Sequence, residues 1–261
     1  MSGAHPGSSP DLGPLELPPV SEDLVPPREL KLATTVSITF DGLLDPPLLL
    51  REDPKDGCGG HIWPAGMQLS KYMLQKHRTG LQGKTMVELG AGSGLVGLAV
   101  AKGCHVDGPM YITDQAPMIP LIEYNIQLNG LSDGQVHAAL LDWGDLQTLN
   151  SFPRPDIVLA ADCVYFEPAF PLLLQTLEEL LRGETVCYFC FKKRRKADLR
   201  FLKQAKKKFD LTPIEEGIDV KYCRKESIFL YEMRQRQPKR PQDNSDTSPT
   251  SSDTTEKSEA E

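Results

Sequence analysis

Several absences narrow the class of this chain before any motif is considered. No apolar run approaches the roughly 20 residues that a membrane-crossing helix needs, and none is expected to span a bilayer. Met1 to Pro10 has neither the basic start nor the apolar core of a secretory signal. There is no excess of positive charge. The formal net charge is -7, so non-specific binding to nucleic acid is not expected. No G-x-S-x-G nucleophile pattern occurs, and no His or Cys spacing matches a metal site, so none is expected. His61 and His105 have no Ser or Cys nucleophile pattern around them and are expected to be structural. Together these absences predict a reduced, cytoplasmic protein, expected to be a monomer.

One cysteine pair needs weighing. Cys187-Tyr188-Phe189-Cys190 matches C-x-x-C but lies in Thr185 to Phe191, which reads as a buried strand. Residues three apart on a strand face opposite ways, so one metal would not easily bind both. Core cysteine is the expectation.

The two ends differ from the middle. Residues 1–33 are rich in Pro, Gly and Ser, and residues 238–261 are Ser, Thr, Asp and Glu with almost nothing apolar. Both are expected to be disordered tails. Residues 34–237 are expected to form one domain. Thr35 to Phe40 alternates as a strand does, and Leu48 to Leu50 pairs back with it across Asp41-Gly42. Gln68 to His77 shows helical spacing of Leu69, Tyr72 and Met73.

From there strands and helices alternate. Strands are predicted at Thr85–Leu89, Met110–Thr113, Val136–Leu140, Asp156–Ala161, Thr185–Phe191 and Ser227–Glu232. Helices are predicted at Leu95–Ala101, Met118–Leu128, Phe170–Leu181 and Lys196–Phe209, the last with Leu199, Leu202, Ala205 and Phe209 inward. This rhythm argues for an α/β fold: a doubly wound, mostly parallel, Rossmann-like sheet with a short N-terminal β extension.

The segment with the clearest chemistry is Glu88-Leu89-Gly90-Ala91-Gly92-Ser93-Gly94, between the first strand of the α/β series and a helix. Glycines allow a tight turn against which a ligand can lie on bare backbone, and the helix start offers free N–H groups. Ligands of open α/β sheets bind at the carboxyl ends of strands. Gly92-Ser93-Gly94-Leu95-Val96-Gly97 also reads as the G-x-G-x-x-G dinucleotide pattern. Glu88 argues for a cation instead, because a carboxylate there would repel a pyrophosphate. S-adenosylmethionine, which carries an ammonium and a sulfonium, is favoured over NAD.

Asp114 ends the next strand, about 20 residues beyond the turn, where a carboxylate accepts ribose hydroxyls; alternatively it caps the following helix. Trp143, after the third strand, suits packing against an adenine ring, with Asp142 accepting from its amino group. A core aromatic is the equal alternative.

Taken together, these motifs resemble the seven-strand methyltransferases. More narrowly, they resemble the lysine-directed family (methyltransferase family 16) that methylates translation factors and chaperones. The matching stretches are His61-Ile62-Trp63-Pro64-Ala65, the Glu88–Gly94 turn, Ile112-Thr113-Asp114, Asp142-Trp143-Gly144 and Ala161-Asp162-Cys163-Val164-Tyr165. They span residues 35–232. The run Phe191–Asp198 is similar to that of the fungal members acting on elongation factor 1A.

The resemblance implies cofactor contacts from Trp63, Gly90, Ala91, Gly92, Asp114, Trp143 and Ala161. It also implies a D-x-x-Y motif, Asp162 and Tyr165, beside the transferred methyl. The absence of an N-P-P-Y motif at that place lowers a nucleic-acid reading.

Asp162 is expected at the end of a core strand, where its carboxylate accepts from the incoming amine and orients it. A helix cap for the segment after Pro168 is the alternative. Tyr165 would wall the acceptor channel. The basic run Lys192–Lys196, continued by Lys203, Lys206, Lys207 and Lys208, is either a solvated helix face or a docking patch for an acidic surface or for bound RNA.

The expected function is therefore S-adenosyl-L-methionine-dependent methylation of a protein lysine, with elongation factor 1A as the expected partner. The alternatives are a methyltransferase for a small molecule or another protein residue, and a cofactor-binding module without transfer.

Overall fold

The computed structural model describes residues 33–54, 58–131 and 134–236. The two expected tails lie outside these residues, apart from Ala33.

The chain enters through β1 (Thr34–Ile38) and β2 (Leu48–Glu52), an antiparallel pair forming its own small sheet. A larger sheet follows, built from β3 (Met86–Leu89), β4 (Met110–Asp114), β5 (Val136–Leu140), β6 (Ile157–Ala161), β7 (Val186–Lys192), β8 (Phe209–Pro213) and β9 (Ile228–Gln235). Its order is β5-β4-β3-β6-β7-β9-β8. β3 to β7 run parallel, and β9 lies antiparallel between β7 and β8. The strand order reverses between β3 and β6, which opens the crevice where ligands of such sheets bind.

Helices α1 (Pro64–Lys76), α2 (Leu95–Gly103), α3 (Ile119–Leu128), α4 (Leu146–Leu149), α5 (Phe170–Leu180), α6 (Lys196–Lys208) and α7 (Val220–Glu226) complete the described fold. The two faces of the sheet have separate cores. Leu69 and Met73 of α1, Leu98 of α2 and Ile122 of α3 pack with Leu159 and Cys190 on one face. Leu173 and Leu177 of α5 and Phe201 of α6 pack with Val158 and Phe189 on the other. Strands covered on both faces need apolar residues at nearly every position, which is why β6 reads as an unbroken apolar run and β3 is interrupted only by Glu88. Cys187 lies in one core and Cys190 in the other, so the C-x-x-C pair is split by the sheet. Burial pushes both thiols above their ordinary range.

The small hairpin is tied down by two amides, Asn125 of α3 and Asn129 just past its end. Asn125 accepts from the Arg51 N–H at 2.8 Å and donates to the Arg51 carbonyl at 3.1 Å. Asn129 does the same at Leu49, at 3.0 and 2.7 Å. Side chains thereby supply ladder partners that an edge strand would otherwise lack. Asn125 also donates to the Ser93 carbonyl at 2.9 Å, linking the hairpin to the glycine turn.

Three expectations change. α1 begins at Pro64 rather than Gln68, because Pro is well tolerated in a first turn where its missing N–H costs nothing. α6 buries Ala197, Phe201, Leu202 and Ala205, while Leu199 is exposed. The helical stripe is thus rotated toward Ala197 and Phe201 relative to the one predicted, with Leu202 and Ala205 common to both. Phe209 does not end that helix but opens β8, a short edge strand with Pro213 at its end. β8 and α7 went unpredicted, because short polar elements carry little periodic signal.

Candidate active site

The site begins where β3 ends. Gly90 and Gly92 both hold φ near 58°, a left-handed conformation that side chains rarely adopt. A Cβ on Gly90 would stand 2.9 Å from the Trp143 ring, and one on Gly92 would stand 2.3 Å from the Gly59 carbonyl oxygen. The turn is therefore pressed between an aromatic ring and the chain entering α1. The Ala91 N–H donates to the Thr113 carbonyl at 3.0 Å.

Glu88 lies beneath this turn, buried, and accepts from the Gly97 N–H in the first turn of α2 at 2.7 Å. Burial pushes its carboxyl up to about 8; the Gly97 and Val96 N–H groups pull it down and nearby Asp114 pushes it further up. The geometry differs from the sequence argument for an exposed carboxylate: Glu88 is buried and engages the helix start, so it braces the turn from beneath.

Asp114 caps β4. One carboxylate oxygen accepts from the Gly92 N–H and the other from the Gln115 N–H, each at 2.7 Å. Burial raises its pKa, the two N–H groups oppose this, and Asp142 adds to the rise. A carboxylate offers about four acceptor positions, so each oxygen keeps one for an incoming donor. Asp114 does not cap a helix; the short turn that follows is preceded by Gln115.

Asp142 and Trp143 follow β5, joined to the sheet where the Leu141 N–H meets the Asp114 carbonyl at 3.0 Å. Trp143 packs on the α5 side core while its ring edge covers Gly90. Core packing and contact with the turn are thus one arrangement.

The other half of the site follows β6, whose Ala160 pairs with Leu89 of β3. Asp162 sits one residue past β6 with φ 53°. Aspartate tolerates this conformation better than most residues. Its N–H donates to the Cys190 carbonyl at 2.9 Å. Its carboxylate is only 5% exposed and is met by four donors. The Lys192 N–H (2.8 Å) and Arg194 Nη1 (3.0 Å) reach one oxygen. Arg194 Nη2 (3.0 Å) and the Ala65 N–H (3.4 Å) reach the other. The expectation that this carboxylate stands open to an amine is thus corrected, and it caps no helix after Pro168.

Arg194 also stacks over Trp63, its guanidinium carbon 5.0 Å from the ring centroid. Trp63 ends the segment leading into α1 and is 36% exposed. Asp198, almost fully buried, accepts from the Arg194 and Arg195 N–H groups at 2.8 and 2.9 Å. The Arg195 side chain bridges Asp198 and the Tyr165 carbonyl. Tyr165 and Phe166 are more than half exposed beside this clasp.

Sequence reasoning missed Arg194 and Asp198 because the basic run read as surface charge. The structure pairs part of that run with carboxylates, Lys192 with Glu226 (2.8 Å) and Lys208 with Glu178 (2.6 Å), and nearby Arg200 with Glu167 (2.5 Å). Among the described residues, no cluster of His, Cys, Asp and Glu is arranged to hold a metal ion.

The sheet order, the glycine turn and the acidic tip of β4 define a methyltransferase of the seven-strand class. A solved structure assigned as a methyltransferase and complexed with SAH superimposes with a TM-score of 0.51 at 15% identity, over 71% of this chain and 53% of that one. That likeness concerns the fold. The family model described as lysine methyltransferase matches residues 43–208. The chain is 37% identical to the protein-lysine N-methyltransferase EFM6 of Saccharomyces cerevisiae, over 81% of this chain and 95% of that protein. It is 33% identical to mouse EEF1A lysine methyltransferase 3, over 69% and 74%. Zebrafish METTL21A, a protein N-lysine methyltransferase, is 34% identical over 67% and 77%. The chain belongs to the lysine methyltransferase family.

Proposed function

We propose that the chain transfers a methyl group from S-adenosyl-L-methionine to a lysine of elongation factor 1A, in the cytoplasm and as a monomer. The protein substrate rests on the similarity to EFM6 and to EEF1A lysine methyltransferase 3. Among the described residues no helix is long and apolar enough to cross a membrane.

The observation that carries the cofactor assignment is the capacity left at Asp114. Its two oxygens each hold one backbone donor and keep one position, which suits the paired hydroxyls of a ribose. The glycine turn fits as well, since Gly90 and Gly92 leave no room for side chains between their neighbours and keep the backbone bare toward a ligand. We assign Gly90, Ala91 and Gly92 to contacts along the turn, Asp114 to the ribose, Asp142 and Trp143 to the adenine, and Trp63 and Ala161 to the walls. Glu88 acts through the turn it braces. When bound, S-adenosyl-L-methionine supplies an electrophilic methyl on a sulfonium.

The chain's own contribution is placement and exclusion of water. The lysine amine attacks only when neutral, and its free pKa is about 10.4. The Asp162–Arg194 pair and Trp63 form a fixed border at the carboxyl edge of β6, next to the β3 turn. Tyr165, exposed at this border, is assigned to the acceptor side of the site. In-line transfer needs the amine held in line with the methyl and its sulfur, and a rigid border lowers the entropic part of the barrier.

The test is transfer of labelled methyl from S-adenosyl-L-methionine to recombinant elongation factor 1A, with Asp114→Ala as control. Label on one lysine, lost in the control, is expected. Label confined to small molecules would overturn the substrate class.

A further inference from the structure

Asp162 poses a problem for lysine methylation. A bare carboxylate beside the acceptor would hold lysine as ammonium, since an opposite charge within ~4–6 Å shifts a pKa by about 1–3 units toward the charged form. The reaction needs the opposite. The structure holds the remedy, because Arg194 meets Asp162 through both guanidinium nitrogens at 3.0 Å while its plane covers Trp63. The two surfaces that would attract an ammonium, a carboxylate and an aromatic face, are thus both taken by one fixed cation.

We infer that Arg194 is a positioning residue that neutralises Asp162, so that the acceptor lysine enters the site without its proton. This rests on the lysine methyltransferase reading above and deepens it.

Arg194 is held for this role. Its backbone N–H is fixed by buried Asp198, and Nη1 also reaches the Lys192 carbonyl at 3.3 Å. Lys193 and Lys196, on either side of Arg194 and Arg195, are exposed to solvent, and the other neighbouring charges are matched. From β7, Lys192 faces Glu226 of α7. From α6, Arg195 faces Asp198. From the β6 loop come Cys163 and the backbone of Tyr165, and from β7 comes Cys190; burial holds both thiols protonated. Across the turn lie Glu88 and Asp114, engaged with backbone N–H groups. α1 contributes the Ala65 N–H and the Trp63 ring. With Arg194 removed, Asp162 keeps two backbone donors and no cation.

The proton balance is simple. The substrate ammonium gives one proton to solvent on entering, and the neutral nitrogen forms the new C–N bond as the C–S bond breaks; S-adenosylhomocysteine leaves as the neutral thioether and the product leaves as a methylammonium, so one proton is released per transfer.

The experiment compares wild type, Arg194→Gln, Arg194→Lys and the double variant Asp162→Asn/Arg194→Gln, with elongation factor 1A as acceptor and thermal melts to verify folding. In Arg194→Gln, the ascending limb of kcat against pH should move up by about one unit or more. That corresponds to about tenfold lower kcat at pH 7.5, regained towards pH 9.5, with KM unchanged or lower. Arg194→Lys should keep the wild-type limb. The double variant should move it back, because no bare carboxylate remains.

A second readout needs no turnover. Calorimetry of acceptor binding to enzyme loaded with S-adenosylhomocysteine, in buffers of different ionisation enthalpy, should show about one proton released with wild type at pH 8, and fewer with Arg194→Gln. A loss in Arg194→Gln that is equal at every pH, with unchanged proton release, would reduce Arg194 to a brace and overturn the inference. A higher kcat and lower KM at pH 7.5 would make Arg194 an occupant that substrate displaces, which also overturns it. A wild-type enzyme that labels no lysine would instead overturn the proposed function.

Discussion

Asp114 and Asp162 end neighbouring regions of one sheet edge, and they differ in how much bonding capacity the fold leaves them. Asp114 tips β4 with one backbone donor on each oxygen. Asp162 follows β6 with four donors, two of them from a guanidinium. One carboxylate is half engaged and suited to receive a ligand. The other is saturated and works as part of the wall. Two aspartates at equivalent places in the strand pattern therefore do different work, and the difference comes from what packs against them.

Substitutions sharpen this contrast, and the largest effect is expected at the saturated carboxylate. Asp162→Ala strips Arg194 of its partner and leaves two backbone donors unmet. Breaking a buried pair costs about 3–5 kcal/mol; with Arg194 31% exposed, about 2–4 kcal/mol is expected, read as a drop in denaturation midpoint. Asp162→Asn should cost clearly less. If both variants melt as the wild type does, the pair contributes no stability and the contrast fails.

Next is Asp114→Ala. Hydrogen bonds to a charged group contribute about 1.5–3 kcal/mol, so S-adenosyl-L-methionine affinity measured by calorimetry should fall about 10- to 100-fold. The melting temperature of the unliganded protein should change much less than in Asp162→Ala. Equal loss of stability in both variants would mean that Asp114 is structural too.

Glu88 gives a pH test. Its folded pKa of about 8 exceeds the ordinary carboxylate value of 4.5, so the folded state binds the extra proton between those values. Stability from this group is present below about pH 4.5 and is lost as pH rises toward about 8. Glu88→Gln keeps an acceptor for the Gly97 N–H and removes the titration. Its melting temperature should decline less than wild type between pH 5 and 8, and parallel curves would refute the assignment.

The smallest effect belongs to the outer ion pair Arg200–Glu167. Both side chains are about half exposed, so Glu167→Gln should change stability by less than about 1 kcal/mol. A larger shift would show that the clasp around Tyr165 extends to the surface.

Much of the frame was legible in the chain. Val136–Leu140 was predicted at the bounds observed, and β3, β4, β6 and β7 were placed within a residue or two, because strands buried on both faces leave continuous apolar runs. The glycine turn was legible because few other residues adopt its backbone. Cys187 and Cys190 were correctly separated by strand periodicity alone. The parts that were not legible share a cause. α6 turns Leu199 outward and Phe201 inward, a choice made by the core it meets. Arg194 and Asp198 are four apart in a run of charges, and nothing in that run says which charge is buried.

By itself, the sequence determined the α/β rhythm, the turn after β3, the acidic tips of β4 and β6, and the family resemblance, since each rests on local periodicity or on a residue type that few others can replace. Only the tertiary structure decided that Glu88 braces a helix start, that Asp114 keeps room for a ligand, and that Asp162 is filled by Arg194 against Trp63. These outcomes depend on groups as far apart in the chain as Trp63 and Arg194, 131 residues. Burial and charge pairing act through space, and only the folded chain brings those groups within bonding distance.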